Sequence, residues 1–122
     1  MTKTVYIAPE YVSFYMAGSN EADVPVEYGA FGVFGTRECL VVTCQYGQDG
    51  DTKITIGPYE DIPTTEMPLR FDGHLDTPDR RIVLFEVQVE DILSLRVPDK
   101  ATRIRIWSNH ESQPNEIVIA LG

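Results

Sequence analysis

Two histidines and two cysteines are the residues of this 122-residue chain best suited to acid–base or nucleophilic chemistry. His74 lies two residues before Asp76, and His110 directly precedes Glu111. Catalysis of the triad type also needs a nucleophile held against the histidine. No serine or cysteine here stands in a nucleophile-elbow motif or a comparable context. We therefore predict that both histidines are exposed and non-catalytic and that the protein is not an enzyme.

Cofactor and metal motifs are equally missing from the sequence. It contains neither a phosphate-binding loop nor a dinucleotide-binding fingerprint. Nothing singles out a carboxylate pair for glycoside hydrolysis. Cys39 and Cys44 are five residues apart in one apolar run, and this odd spacing on a strand puts their side chains on opposite faces. We predict two unbridged cysteines, no cofactor and no zinc site.

The acidic residues are the strongest indication of what class of partner the protein binds. Ten basic and nineteen acidic residues give a net charge of −9. Residues 1–79 hold thirteen acids and four bases, whereas residues 80–122 hold six of each. Such a charge excludes nucleic acid and anionic membrane as favoured partners, because both are negative. It favours a basic protein partner or cations, and the alternative is that the acidity only keeps the protein soluble.

Three predicted loops concentrate this acidity and supply the candidate partner-binding residues. If the loops share one end of the fold, they form a negative patch that speeds association with a basic partner. The candidates are Asp49 and Asp51 in the first loop, Glu60, Asp61 and Glu66 in the second, and Asp72, Asp76 and Asp79 in the third. A secondary candidate surface is Arg103, Arg105 and Trp107, since arginine and tryptophan are enriched at binding hot spots. The alternative is that these arginines pair with acids on a neighbouring strand.

Two other binding classes remain open. Asp49 and Asp51, with Asp72 or Asp76, offer oxygen ligands for calcium, although no EF-hand spacing is present. A small-molecule- or sugar-binding domain and a structural or assembly subunit are the remaining alternatives to a protein-binding module.

The elements that position these residues read as strands. Short apolar or alternating runs recur every 8–12 residues between glycine- and proline-containing turns, and no segment of ten residues has helical periodicity. This pattern predicts an all-β fold, an antiparallel β-sandwich of about 8–10 strands, as a single domain over residues 1–122. Residues 39–46 and 53–56, joined by a Gly/Asp turn, predict a β-hairpin.

Several further stretches have clear patterns. Residues 17–29 read as a polar loop, residues 69–71 as a short strand, and residues 73–81 as a polar connection. In residues 102–107, Ile104 and Ile106 face one side and the Arg/Trp set the other. Ile117, Ile119 and Leu121 form the predicted inward set of the last strand. No signal peptide and no bilayer-length apolar run are apparent, so we expect a cytoplasmic protein.

The order of these elements resembles a known family. Residues 11–15 form an early aromatic strand, followed by a polar loop with proline and a glycine-flanked segment. Residues 92–98 lead through a short turn to the strand at 102–107, a polar loop and the final strand at 116–121. This layout resembles competence protein J, a small inhibitor of a bacterial DNA-entry nuclease. The resemblance implies a protein that binds and blocks a nuclease, and it carries over no individual functional residue.

Overall fold

Ten strands in two five-stranded sheets make up the computed structural model, which describes residues 2–25 and 31–122. The two sheets pack face to face around one main core. The predicted all-β sandwich of about 8–10 strands is therefore confirmed. Residues 26–30 of the predicted loop at 17–29 lie outside the described residues.

The first sheet contains the final strand of the chain at its centre. Its strands, in spatial order, are β1 (Lys3–Ile7), β5 (Thr52–Pro58), β10 (Glu116–Leu121), β9 (Ala101–Ser108) and β6 (Leu69–Asp76). Neighbouring strands are antiparallel except β5 and β10, which are parallel, with Ile117 beside Ile54 and Ile119 beside Ile56. The parallel pair departs from the expected antiparallel arrangement.

The second sheet is antiparallel throughout. Its strands, in spatial order, are β3 (Val33–Gly35), β4 (Cys39–Thr43), β2 (Ser13–Ala17), β7 (Arg81–Phe85) and β8 (Leu93–Arg96). Two short 3₁₀ turns, Gly47–Asp49 and Tyr59–Asp61, are the helical segments of the described chain.

Alternating side chains build the core between the sheets. The first sheet contributes fully buried isoleucines, and the second contributes residues such as Phe14, Met16 and Leu84. The isoleucines are Ile54, Ile56, Ile104, Ile106, Ile117 and Ile119. Full burial of one such side chain contributes roughly 1.5–3 kcal/mol relative to exposure. The burial also confirms the inward sets predicted for β9 and β10.

The predicted hairpin is wrong. β4 lies in the second sheet and β5 in the first, so residues 44–51 cross from one sheet to the other. Gly47 lies against the first loop of the chain, where an added Cβ would meet the Ala8 carbonyl oxygen at 2.5 Å. Glycine and aspartate mark a chain reversal. They do not specify whether the following strand pairs with the preceding one, because both strands need the same core.

β6 is longer than its pattern predicted, so the polar connection proposed for residues 73–81 begins only after Asp76. Asp72 lies opposite Arg105, and His74 lies opposite Arg103, on the outer face of the first sheet. Leu75 faces the core, and Phe71 packs against it. This alternation is hard to recognise in the sequence, because Gly73 has no side chain at its core-facing position. The ring of Phe71 occupies that space, 2.7 Å from where a Cβ of residue 73 would stand.

Strand directions sort most connections between two ends of the sandwich. Residues 8–12, 44–51, 86–92 and 109–115 lie at one end, called here the long-loop end. The turns at 36–38, 77–80 and 97–100 lie at the opposite, short-turn end. The β5–β6 connection, residues 59–68, joins two strands of like direction and crosses the outer face of the first sheet over β10 and β9. The fold thus fixes which loops can act together.

We expect Ile119→Ala to lower the free energy of unfolding by about 2–5 kcal/mol, because it leaves a cavity in the central strand of the buried face. Val87→Ala, at a side chain that is 62% exposed, is the control and should shift stability by less than about 0.5 kcal/mol. Urea unfolding measures both. Equal effects of the two substitutions would contradict the core described above.

Candidate functional site

The four connections at the long-loop end carry acidic side chains and no basic one. They contain seven carboxylates and neither lysine nor arginine. The seven are Glu10, Asp49, Asp51, Glu86, Glu90, Asp91 and Glu111. We call this surface the acidic end. The rest of the chain has twelve acidic and ten basic residues, a net charge of −2, so most of the excess negative charge lies here.

The three turns at the opposite end are balanced in charge. They contain three acids and three bases: Arg37, Glu38, Asp79, Arg80, Asp99 and Lys100. Lys53 at the start of β5 and Arg70 at the start of β6 are the cations on strand ends flanking the acidic end. The charge asymmetry between the two ends is therefore a property of the fold and not only of the sequence halves.

Hydrogen bonds between the four loops hold the acidic end together. The Gly47 amide donates to the Pro9 carbonyl at 3.3 Å, and the Gln45 amide donates to the Pro114 carbonyl at 3.0 Å. The Gln88 Nε2 donates to Glu10 Oε2 at 2.6 Å. Each loop is thus tied to at least one other, and the carboxylates stand on a connected framework.

His110 shapes the last of these loops. Its Nδ1 accepts hydrogen bonds from the amides of Ser112 at 3.1 Å and Gln113 at 3.0 Å. The side chains of Asn109 and Asn115 close the same loop at 2.6 Å. Both histidines are exposed, as predicted, with His74 on β6. The role visible for His110 is to fold the loop.

The first loop is held in an unusual backbone conformation. Val12 has a φ of 56°, a left-handed value that a β-branched residue rarely adopts. The Val12 carbonyl accepts the amide of Cys44 at 2.8 Å, which binds this loop to the end of β4. Tyr11, the preceding residue, is 56% exposed, and Tyr46 in the second loop is 46% exposed. Two tyrosines therefore stand out among the carboxylates.

Burial affects one of the carboxylates. Desolvation raises the pKa of Glu86 above its ordinary value, because the side chain is partly covered by protein. The same carboxylate acts electrostatically on Cys44. Glu86 is therefore the carboxylate of the acidic end that lies close to the buried Cys44.

The structure places the eight predicted partner-binding acids in different regions. Asp49 and Asp51 lie at the acidic end. Glu60, Asp61 and Glu66 lie in the connection that crosses the first sheet, and Asp79 lies at the short-turn end. The three acidic loops identified in the sequence are thus not brought together at one end.

Two of the eight acids form ion pairs within the chain. Asp72 accepts two hydrogen bonds from Arg103, at 2.9 and 2.8 Å, and these lower the pKa of its carboxyl. Asp76 pairs with Arg37 at 3.2 Å. Both pairs are solvent-exposed, so each contributes little to stability.

The secondary candidates share the outer face of β9, as the alternation predicted. Arg103 is the partner of Asp72, which matches the alternative that these arginines pair with a neighbouring strand. Arg105 lies over the ring of Tyr59, with its guanidinium carbon 3.5 Å from the ring centroid. Trp107 borders a hollow beneath the crossing connection, together with Ile62.

Five acids of the acidic end were not among the sequence candidates: Glu10, Glu86, Glu90, Asp91 and Glu111. They occur singly or in pairs between strands, so no local cluster draws attention to them. The available signal was the absence of lysine and arginine from four interstrand segments. This absence is informative only when it is known which segments meet at one end of the sandwich.

Both cysteines are free and buried on opposite faces, as predicted. Cys44 belongs to the core between the sheets, and Cys39 packs with Phe85 on the outer face of the second sheet. Burial raises the pKa of each thiol to about 11. Neither thiol is therefore poised as a nucleophile at neutral pH.

Two further kinds of feature are absent from residues 2–25 and 31–122. No group of three or more His, Cys, Asp or Glu side chains in this part of the chain is arranged to hold a metal ion. No helix in it has the length and apolar character needed to cross a membrane.

Comparison with solved structures identifies a protein of similar fold. The crystal structure of ComJ, inhibitor of the DNA degrading activity of NucA, from Bacillus subtilis, superposes with a TM-score of 0.74. The match covers 98% of this chain and 93% of ComJ at 12% sequence identity. The resemblance found in the order of the strands is thus confirmed at the level of the fold. No protein-family model and no curated protein sequence matches the chain.

We expect Cys39 and Cys44 to resist a disulfide exchange reagent in the folded protein at pH 8, since both thiols are buried and protonated. Both should react once urea unfolds the chain. Absorbance of the released thiolate measures the reaction. Rapid modification of either cysteine under native conditions would contradict the burial described here.

We expect Glu86→Gln to raise the melting temperature at pH 7, because a carboxyl whose pKa is raised on folding is destabilising while it is ionised. As the pH falls through the folded-state pKa, the wild-type carboxyl takes up a proton and regains this stability. The difference should therefore vanish below the ordinary value of 4.5. Glu90→Gln, on the same loop but exposed, is the matched control and should change the melting temperature less.

Proposed function

We propose that this protein is an inhibitor that binds a basic protein, of the nuclease or toxin class, through its acidic end. The observation that carries the proposal is the set of four hydrogen-bonded loops with seven carboxylates and no lysine or arginine. The acidic end is well suited to an interface, because hydrogen bonds tie its four loops to one another.

Charge and aromatic side chains have separate roles in this proposal. The carboxylates attract a basic partner over distances of about the Debye length, roughly 8–10 Å at physiological salt, and raise the association rate. Tyr11 and Tyr46 supply apolar contact area with a polar tip, which is the character of hot-spot residues. The carboxylates then determine how fast the two proteins associate, and the tyrosines determine how long the complex lasts.

A nuclease is the preferred partner class for a chemical reason. Its active site is built to hold phosphates, so carboxylates on a connected framework can occupy the same positive positions and exclude the substrate. ComJ, which has the same fold, inhibits the DNA degrading activity of NucA. We extend this activity to the present chain as a proposal, with the partner's identity left to experiment. We further propose that the protein acts in the cytoplasm.

The predicted acids outside the acidic end enter the proposal differently. Asp49 and Asp51 belong to the proposed contact. Asp72 and Asp76 are engaged by Arg103 and Arg37, so binding a partner through them would require breaking these pairs. Glu60, Asp61, Glu66 and Asp79 add to the overall negative field without lying at the proposed contact.

We expect a variant with Asp49→Asn, Asp51→Asn, Glu90→Gln and Asp91→Asn to lose its partner. Wild-type protein, immobilised in a lysate of its source organism, should retain a basic protein at 50 mM salt and much less of it at 500 mM. Mass spectrometry identifies the retained protein. The purified partner is then assayed for DNA hydrolysis with and without this chain, which should suppress the activity.

The matched control neutralises four exposed acids elsewhere: Glu21→Gln, Asp23→Asn, Asp79→Asn and Asp99→Asn. Both variants carry the same net charge, so a difference between them reports position and not total charge. Equal retention of the partner by the two variants would reject the acidic end as the contact. A retained protein whose activity this chain leaves unchanged would reject the inhibitor role.

A further inference from the structure

A second surface, at the other end of the sandwich, has the opposite chemistry. A cleft of about 690 Å³ opens where the last residues of β8 pass over the ends of β5, β10 and β9. This volume lies within the range of about 300–1,000 Å³ typical of small-molecule sites. It is the largest of the principal hollows found over residues 2–25 and 31–122.

Apolar side chains and arginines line different parts of this cleft. Val97 and Leu121 are buried core residues whose edges reach the cleft. Arg96, Arg103 and Arg105 also line it, which places three of the ten basic residues of a chain with net charge −9 around one hollow. Two carboxylates, Glu60 and Asp99, share the lining and are both exposed.

Arg105 is the residue best placed to bind a ligand. Its guanidinium carbon lies 3.5 Å from the centroid of the Tyr59 ring, and its Nη2 donates to the backbone oxygen of Gly122 at 2.7 Å. These two contacts fix the side chain. Its Nε is enclosed by the protein and has no hydrogen-bond partner among the described residues.

The other two arginines differ in availability. Arg103 is already paired with Asp72, which offsets its charge, and Arg96 is exposed at the edge of the second sheet. The cleft thus offers one fixed arginine, one exposed arginine and an apolar wall. This combination matches a molecule with a single anionic group and a short hydrocarbon body.

We propose that this cleft is a binding site for a small organic carboxylate, with the carboxylate on Arg105 and the hydrocarbon against Val97 and Leu121. Arginine is suited to this role because its planar fork matches carboxylate geometry. The site lies at the end opposite the acidic end, so it does not depend on the proposed inhibitor function. Occupation of the cleft and capture of a protein partner can be measured separately.

Titration of the whole chain with hexanoate, followed in ¹H–¹⁵N spectra, tests the proposal. We expect saturable shifts of the Arg105 Nε–H signal and of the Val97 and Gly122 amides, with a midpoint on the order of 1 mM, an affinity attainable by so small a ligand. Hexanamide, which has the same body without the charge, should produce less than a tenth of the shift. The amides of residues 44–51 at the acidic end should not move.

Two variants complete the test. Arg105→Gln should abolish saturation, and Arg81→Gln, an exposed arginine outside the cleft, should leave the midpoint within twofold. The amide spectrum of each variant shows whether it is folded. Should Arg105→Gln not fold, the wild-type comparison of hexanoate with hexanamide decides the question. Linear shifts without saturation, equal responses to the two probes, or unchanged binding by a folded Arg105→Gln variant would overturn the proposal.

Discussion

The burial of six isoleucines from β5, β9 and β10 against the second sheet is the interaction on which the rest of the structure depends. Each strand must present alternate residues to this shared core, so its direction and register leave little freedom. Once the strand directions are set, they determine at which end of the sandwich each loop lies. Residues 8–12, 44–51, 86–92 and 109–115 meet at one end because the strands they join begin or end there.

The acidic end concentrates features that are unfavourable for folding. Glu86 is partly desolvated, and Val12 has a left-handed backbone conformation. Hydrogen bonds between the loops and the large core beneath them offset these costs. Natural proteins tolerate such local conflicts mainly where function requires them. We infer that the hydrogen bonds and core that offset the strain in the loops also hold these loops in position for binding a partner.

The two ends of the molecule differ in the state of their charges. At the short-turn end, each of the three turns contains one acid and one base, and Asp76 pairs with Arg37. At the acidic end, carboxylates have hydrogen-bond donors such as Gln88 but no cation within the same loops. A positively charged partner therefore meets the larger uncompensated charge at the acidic end. The arginine-lined cleft lies at the other, which separates the two proposed binding surfaces.

Sequence patterns predicted those parts of the fold in which polarity alternates cleanly. The inward faces of β9 and β10 follow from Ile104, Ile106, Ile117 and Ile119 alone. β6 was underestimated because Gly73 occupies a core-facing position that the ring of Phe71 fills. The hairpin prediction failed because local turn chemistry does not specify which sheet the next strand joins. The same limitation of local patterns affected the candidate site. Acids that are close in the sequence were predicted to act together although the fold separates them, and the five further acids that the fold brings to the acidic end were not predicted.

Hydrogen–deuterium exchange of the chain, alone and bound to its captured basic partner, tests most directly whether the acidic end is the contact surface. We expect slower exchange on binding in residues 8–12, 44–51, 86–92 and 109–115. Exchange in the turns at 36–38, 77–80 and 97–100 should be unchanged. Protection of those turns, with no change in the four loops, would contradict the central claim.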